Sequence, residues 1–100
     1  MTDLEITKLC AAAMGLAVVE QLGQWRFPNT QHEDSLYDPL HDKAQALELV
    51  ERFRLMLQPL PSAWAVTEHK HPPVWSEDTD LLRAICECVA KLEAHRQGAK

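Results

Sequence analysis

The sequence predicts an α+β domain with a small antiparallel sheet of about four short strands and three helices, in the order α-β-β-α-β-β-α. Three observations carry that prediction. Apolar residues recur at three-and-four spacing near both ends of the chain and again in its middle, as amphipathic helices require. The stretches between them are short, rich in β-branched and aromatic residues, and close enough in sequence to pair as hairpins. No β-α-β repeat carries a glycine-rich phosphate loop, which removes a doubly wound nucleotide-binding fold. A sheet of this size can be covered by helices on both faces or on one.

Residues 2–14 read as the first helix. Thr2 at the N-cap and Glu5 three residues on form a capping box, and Ile6, Leu9, Cys10, Ala13 and Met14 share one face. Gly15 stands where a left-handed C-terminal cap belongs, with Leu16 folding back on the last turn. Residues 17–21 and 24–27 read as two strands, joined by a tight turn at Leu22 and Gly23 and ended by Pro28. Residues 28–38 form a polar loop without periodicity, the first place to look for function. The second helix is expected over 39–57, capped by Asp38 with Pro39 in its first turn, or one turn later by Asp42. Its buried stripe is Ala46, Leu47, Val50, Phe53 (or Arg54) and Leu57, and Pro59 and Pro61 stop it. Residues 63–69 read as a strand, His69 to Pro73 as a turn, and Val74 and Trp75 as a short fourth strand. The last helix is expected over 79–95, capped by Asp78 or Ser76, with Leu81, Leu82, Ile85, Cys86, Val89 and Leu92 as its apolar face.

At 100 residues, with 46% hydrophobic and 25% charged, the chain is expected to form a single domain, 1–100, with an ordinary globular balance. The apolar run from Leu9 to Val19 is too short to span a bilayer. Asp3 and Glu5 stand where a secretion signal would carry positive charge, so a cytoplasmic location is expected. The odd count of three cysteines, Cys10, Cys86 and Cys88, points to free thiols in a reducing compartment. Cys10 and Cys86 lie on apolar stripes. Cys88 stands about 200° round the helix from Cys86, which makes the pair one core and one surface cysteine and no joint metal site.

Asp and Glu number 15 against 10 Lys and Arg, a net charge of −5, which disfavours direct nucleic-acid binding and suits a partner with a basic groove. The acids cluster. Glu33, Asp34, Asp38, Asp42, Glu48 and Glu51 stand against Lys43 alone, and Glu77, Asp78 and Asp80 have no base among them. Solvated loops and helix starts would account for such clusters as well.

Catalytic and metal-binding patterns are weak. His69 and His71 would point the same way on a strand, but no spacing supplies a third ligand and Pro72 and Pro73 follow. No nucleophile elbow, zinc-protease helix or phosphate loop is present. No enzyme, cofactor or metal is therefore expected. Trp25, Trp64 and Trp75 all fall in or beside strands, as core plugs or as anchors for a partner.

Several segments taken together resemble a family. Leu9 to Gly15 reads L-C-A-A-A-M-G; a Trp-bearing hairpin, a polar loop reaching Tyr37-Asp38 and the helix A-L-E-L-V-E-R-F from Ala46 follow. A Trp strand, Trp64-Ala65-Val66, then leads to D-T-D-L-L-R-A-I-C-E-C-V-A-K-L from Asp78 to Leu92. This order resembles the phage ABA-sandwich domain, small helix/sheet/helix proteins of bacteriophages and prophages. It departs in the short turn 69–73 and the long loop 28–38. A short acidic chain of this kind also resembles anti-CRISPR inhibitors of the type I-F system of Pseudomonas phages and mobile elements. That resemblance implies binding to the RNA-guided type I-F surveillance complex, on its Cas backbone and large-subunit surfaces, in the bacterial cytoplasm. Net charge and hydropathy lead us to expect no direct nucleic-acid or membrane contact. The resemblance supplies no site residues. The acid clusters do: Glu33, Asp34, Asp38, Asp42, Glu77, Asp78 and Asp80 are the expected partner-binding residues, with Tyr37 as an anchor. The alternative is a non-enzymatic phage accessory domain that binds some other target.

Overall fold

A computed structural model describes residues 1–21, 23–26, 36–68 and 74–98. The chain forms α1 (Asp3–Ala13), β1 (Val19–Gln21), β2 (Gln24–Arg26), β3 (Leu36–Tyr37), α2 (Lys43–Phe53), β4 (Met56–Pro59), β5 (Trp64–Thr67), β6 (Trp75–Asp78) and α3 (Leu81–Gly98). The class is α+β with three helices, as expected. The strands are six rather than about four, and they make two three-stranded antiparallel sheets, β1-β2-β3 and β4-β5-β6, rather than one.

Both ends of α1 follow from its caps. Thr2 Oγ1 accepts the amide of Glu5 at 3.1 Å. At the other end Gly15 takes φ +71°, and Gly15 and Leu16 return their amides to Ala12 and Ala11 at 3.1 and 2.9 Å, a Schellman closure. The expected hairpin forms with Gln21 opposite Gln24 and Gly23 at φ +74°. Leu22, Phe27 and Pro28 lie outside the described residues. Trp25 ties this sheet to α1 by donating its indole Nε1–H to the Leu4 carbonyl at 2.8 Å.

Two extra strands come from segments read as loop and helix. Leu36 and Tyr37, assigned to the polar loop, pair with β2. Their outer edge is closed by Gln45, whose Nε2 donates to Leu36 O at 3.0 Å while its Oε1 accepts Asp38 N at 2.6 Å. One side-chain amide thus does what a neighbouring strand would do. That clasp also places α2, which starts at Lys43 with Asp42 as its cap and not Asp38. The helix ends at Phe53, well before Pro59. Arg54 takes a left-handed conformation, φ 51° and ψ 52°, and the chain continues as β4. Residues before Pro59 and Pro61 are excluded from helical geometry, and an edge strand tolerates a proline at its end. Leu57 therefore belongs to a strand, and Leu47, placed on the buried stripe, is 58% exposed. Leu49 takes its place in the core with Ala46.

The last strand is longer than expected. Ser76 and Asp78 lie within β6, so neither caps α3; Asp80 does, its Oδ1 accepting Leu82 N at 3.0 Å. The helix α3 packs against α1 and α2 and also against β5 and β6. It is buried nearly all round: Ala84, Ile85, Cys86, Cys88, Val89 and Ala90 are each 1% exposed or less. Cys88 is thereby core rather than surface, with its thiol directed at Val74 O, 3.7 Å away. The angular separation of the two cysteines is real, but both of those directions are covered: the Cys10 thiol meets Cys86 O, and the Cys88 thiol faces Val74 O. Small residues on α3 let its neighbours approach closely from both directions.

The second sheet covers α3 with one face only. Leu57, Val66 and Ser76 form one cross-strand row of that face, with Val66 and Ser76 buried. The opposite face carries Met56, Thr67 and Trp75 in register, and Met56 and Trp75 are 48% and 56% exposed. Among the described residues no helix is long and apolar enough to cross a membrane.

Candidate docking face

The expected acidic residues divide by structural duty. Asp42 caps α2, its Oδ1 accepting Ala44 N at 2.9 Å and Gln45 N at 3.2 Å. Asp80 caps α3 and remains exposed. Asp38 is half-buried just past β3, and both its carboxylate oxygens meet His41 Nδ1, at 2.9 and 3.1 Å. Asp78 accepts Asp80 N at 2.9 Å and faces Arg83, and Glu77 is exposed on the outer side of β6. Glu33 and Asp34 lie outside the described residues, as do His69 and His71. Tyr37 is not a surface anchor. It is 3% exposed, and burial first, then the nearby Cys10 and Cys86 thiols, push its phenol pKa upward. Tyr37 pairs with Trp25 across β2 and β3 and belongs to the buried core.

Two residues outside the sequence-predicted set organise the site. Arg83, on the first turn of α3, reaches three carboxylates: Asp3 Oδ1 at 2.7 Å, Glu87 Oε1 at 2.8 Å and Asp78 Oδ2 at 3.9 Å. The Asp3 hydrogen bond is the main cause of its raised pKa. Glu87 accepts Ser76 Oγ at 3.2 Å, which extends the network into β6. Asp3 does more than pair with Arg83. It also borders a cavity of about 190 Å³ whose walls include Trp25, Tyr37, Asp38 and His41. Asp3 is thus a common neighbour of both acidic clusters: it lines the same cavity as Asp38 and shares its arginine with Asp78.

The result is a chain of carboxylates running Asp38, Asp3, Asp78, Asp80, with Glu87 beside it. Among the described residues the bases bonded to these five are Arg83 and His41. With His41 neutral, five carboxylates and one guanidinium leave four formal negative charges. Chemically, such a face accepts charge-assisted hydrogen bonds from lysine or arginine side chains. No described group of three His, Cys, Asp or Glu side chains is placed to hold a metal ion.

Composition pointed to Asp78 and Asp80 but not to Asp3, whose neighbours Thr2 and Leu4 say only that a helix begins. No local signal joins it to a partner 80 residues away. No family model, no curated protein and no solved structure matches this chain.

Proposed function

We propose that this chain is a non-enzymatic inhibitor that lays its acidic face on a basic, DNA-facing surface of a type I-F CRISPR surveillance complex. The target is taken from the resemblance of the sequence segments from Leu9 to Leu92 to small phage ABA-sandwich and anti-CRISPR proteins. The same likeness carries the helix/sheet/helix sandwich, of which α3 and the second sheet are read as two layers. The single observation that supports the docking mode is the continuity of the carboxylates from Asp38 through Asp3 to Asp78 and Asp80. Lysine and arginine side chains that hold target-DNA phosphates would instead meet these carboxylates, and target binding or unwinding would be lost by competition. An interface of this type weakens as salt screens it.

The test is a target-DNA gel shift with purified type I-F surveillance complex, with and without the protein, followed by size exclusion of the mixture. Co-elution with lost DNA binding is the expected result. Neutralising Asp3, Asp38 and Asp78 to Asn should weaken the inhibition by tenfold or more, roughly 1.4 kcal/mol. Absence of co-elution at low salt sinks the reading and leaves a domain that binds some other target.

A further inference from the structure

We propose that the cavity between α1, the first sheet and the turn before α2 is a receptor for a guanidinium group, held against Trp25 by Asp3 and Asp38. The cavity combines three properties. It has about 190 Å³ of open volume, aromatic and aliphatic walls from Trp25, Tyr37 and Leu40, and two acidic residues, Asp3 and Asp38, in its lining. No lysine or arginine lines it among the described residues. Asp3 uses Oδ1 for Arg83, and its side chain is 61% exposed. Among the described residues the Asp38 carboxylate is bonded by one side chain, His41, which is 74% exposed. A cation already lies near the Trp25 ring within this chain: Lys8 Nζ is 5.9 Å from its centroid.

A guanidinium fits this arrangement better than an ammonium. It is flat, it stacks on aromatic faces, and its forked donors can bond two carboxylates at once. Trp25 itself is immobilised by its bond to Leu4 O, and Asp38 by Gln45 through its backbone amide. The receptor is therefore built in advance, which lowers the ordering cost of binding. That the guanidinium belongs to an arginine of a docked partner rests on the function proposed above. The chemistry of the cavity does not.

The experiment is a ¹H–¹⁵N titration of the whole chain with Nα-acetylarginine methylamide. The citrulline analogue, equal in shape and uncharged, is the control. The arginine probe should give saturable shifts at the Trp25 indole N–H and at the amides of Leu4 and Asp38, and the citrulline analogue should give none. Asp38→Asn and Asp3→Asn should each weaken probe binding roughly fivefold or more. His41→Ala, which removes the competing donor from an exposed position, should tighten it. Equal shifts with both probes, or arginine shifts unchanged in both Asn variants, overturn the receptor. Specific arginine-probe binding with no effect on the surveillance complex would sink the docking function and leave the receptor standing. No probe binding by the native chain, with inhibition of the surveillance complex intact and weakened by neutralising Asp3, Asp38 and Asp78 together, would do the reverse.

Discussion

Asp3 Oδ1 and Arg83 Nη1 lie 2.7 Å apart, joining the first turn of α1 to the first turn of α3 across 80 residues of sequence. The same guanidinium reaches Asp78 and Glu87, so one side chain fastens the N-terminal ends of α1 and α3 to β6. This contact also sets where the negative charge of the surface accumulates.

Arg83→Met should therefore act twice. It leaves Asp3, Asp78 and Glu87 unneutralised, and stability should fall by about 1 kcal/mol, since the site is partly exposed and screened. The midpoint of urea denaturation checks this, and added salt should shrink the loss. If the docking face works as proposed, the same substitution should not reduce binding to a basic partner.

The glycine and arginine in left-handed conformations should respond in opposite directions. Gly15 has φ +71° and nothing within 4 Å of where a Cβ would stand, so Gly15→Ala tests backbone conformation alone. It should cost about 1 kcal/mol, a drop in Tm of roughly 4–8 °C. Arg54 sits at φ 51°, and Arg54→Gly should stabilise by up to about 1 kcal/mol. Thermal melts of the two variants measure both effects, and the same sign in both would refute the assignment.

All three thiols should be silent toward Ellman's reagent in the folded chain. Cys10, Cys86 and Cys88 are fully buried. Hydrogen bonding with Cys10 and burial push the Cys86 thiol pKa up, and burial pushes that of Cys88 up to about 11, so little thiolate exists at neutral pH. The thiols should react together, at the rate of unfolding, when urea is raised. A fast-reacting Cys88 would mean that α3 is open on its β5–β6 side.

Glu93 should make stability depend on acid. Its hydrogen bonds from Arg96, at 2.8 Å to Arg96 Nε, hold its carboxyl below the usual range, and Gln97 adds a third donor. A depressed carboxyl contributes stability above its unfolded pKa and loses it as pH falls through the folded value. Glu93→Gln should thus cost about 0.5 kcal/mol at pH 7 and nothing measurable near pH 2. Paired denaturation curves at the two pH values check the sign.

Much of the secondary structure was legible because it is decided locally. The Thr2 cap, the Gly15 closure and the hairpin around Gly23 each need only a few neighbouring residues. The rival start of α2 at Asp42 was legible too, but the choice against Asp38 was not. It follows from Gln45 reaching back to Leu36, a bond that exists only once β3 has paired with β2. β4 was hidden because Leu55 to Leu57 read equally as a helix end or a strand. Short apolar runs carry no period that separates the two.

The candidate site divides in the same way. Sequence by itself determined that the chain is acidic, that its acids cluster near Asp38 and Asp78, and that Thr2 starts the first helix. Whether those clusters meet was decided by tertiary structure alone. Asp3 borders the cavity with Asp38 and shares Arg83 with Asp78 because α1 and α3 pack side by side. Tertiary packing likewise sent Tyr37 and Cys88 inside. The physical reason is common to all of these. Charge and helical phase are properties of a residue and its near neighbours, whereas burial and ion pairing depend on what the rest of the chain brings to the other side.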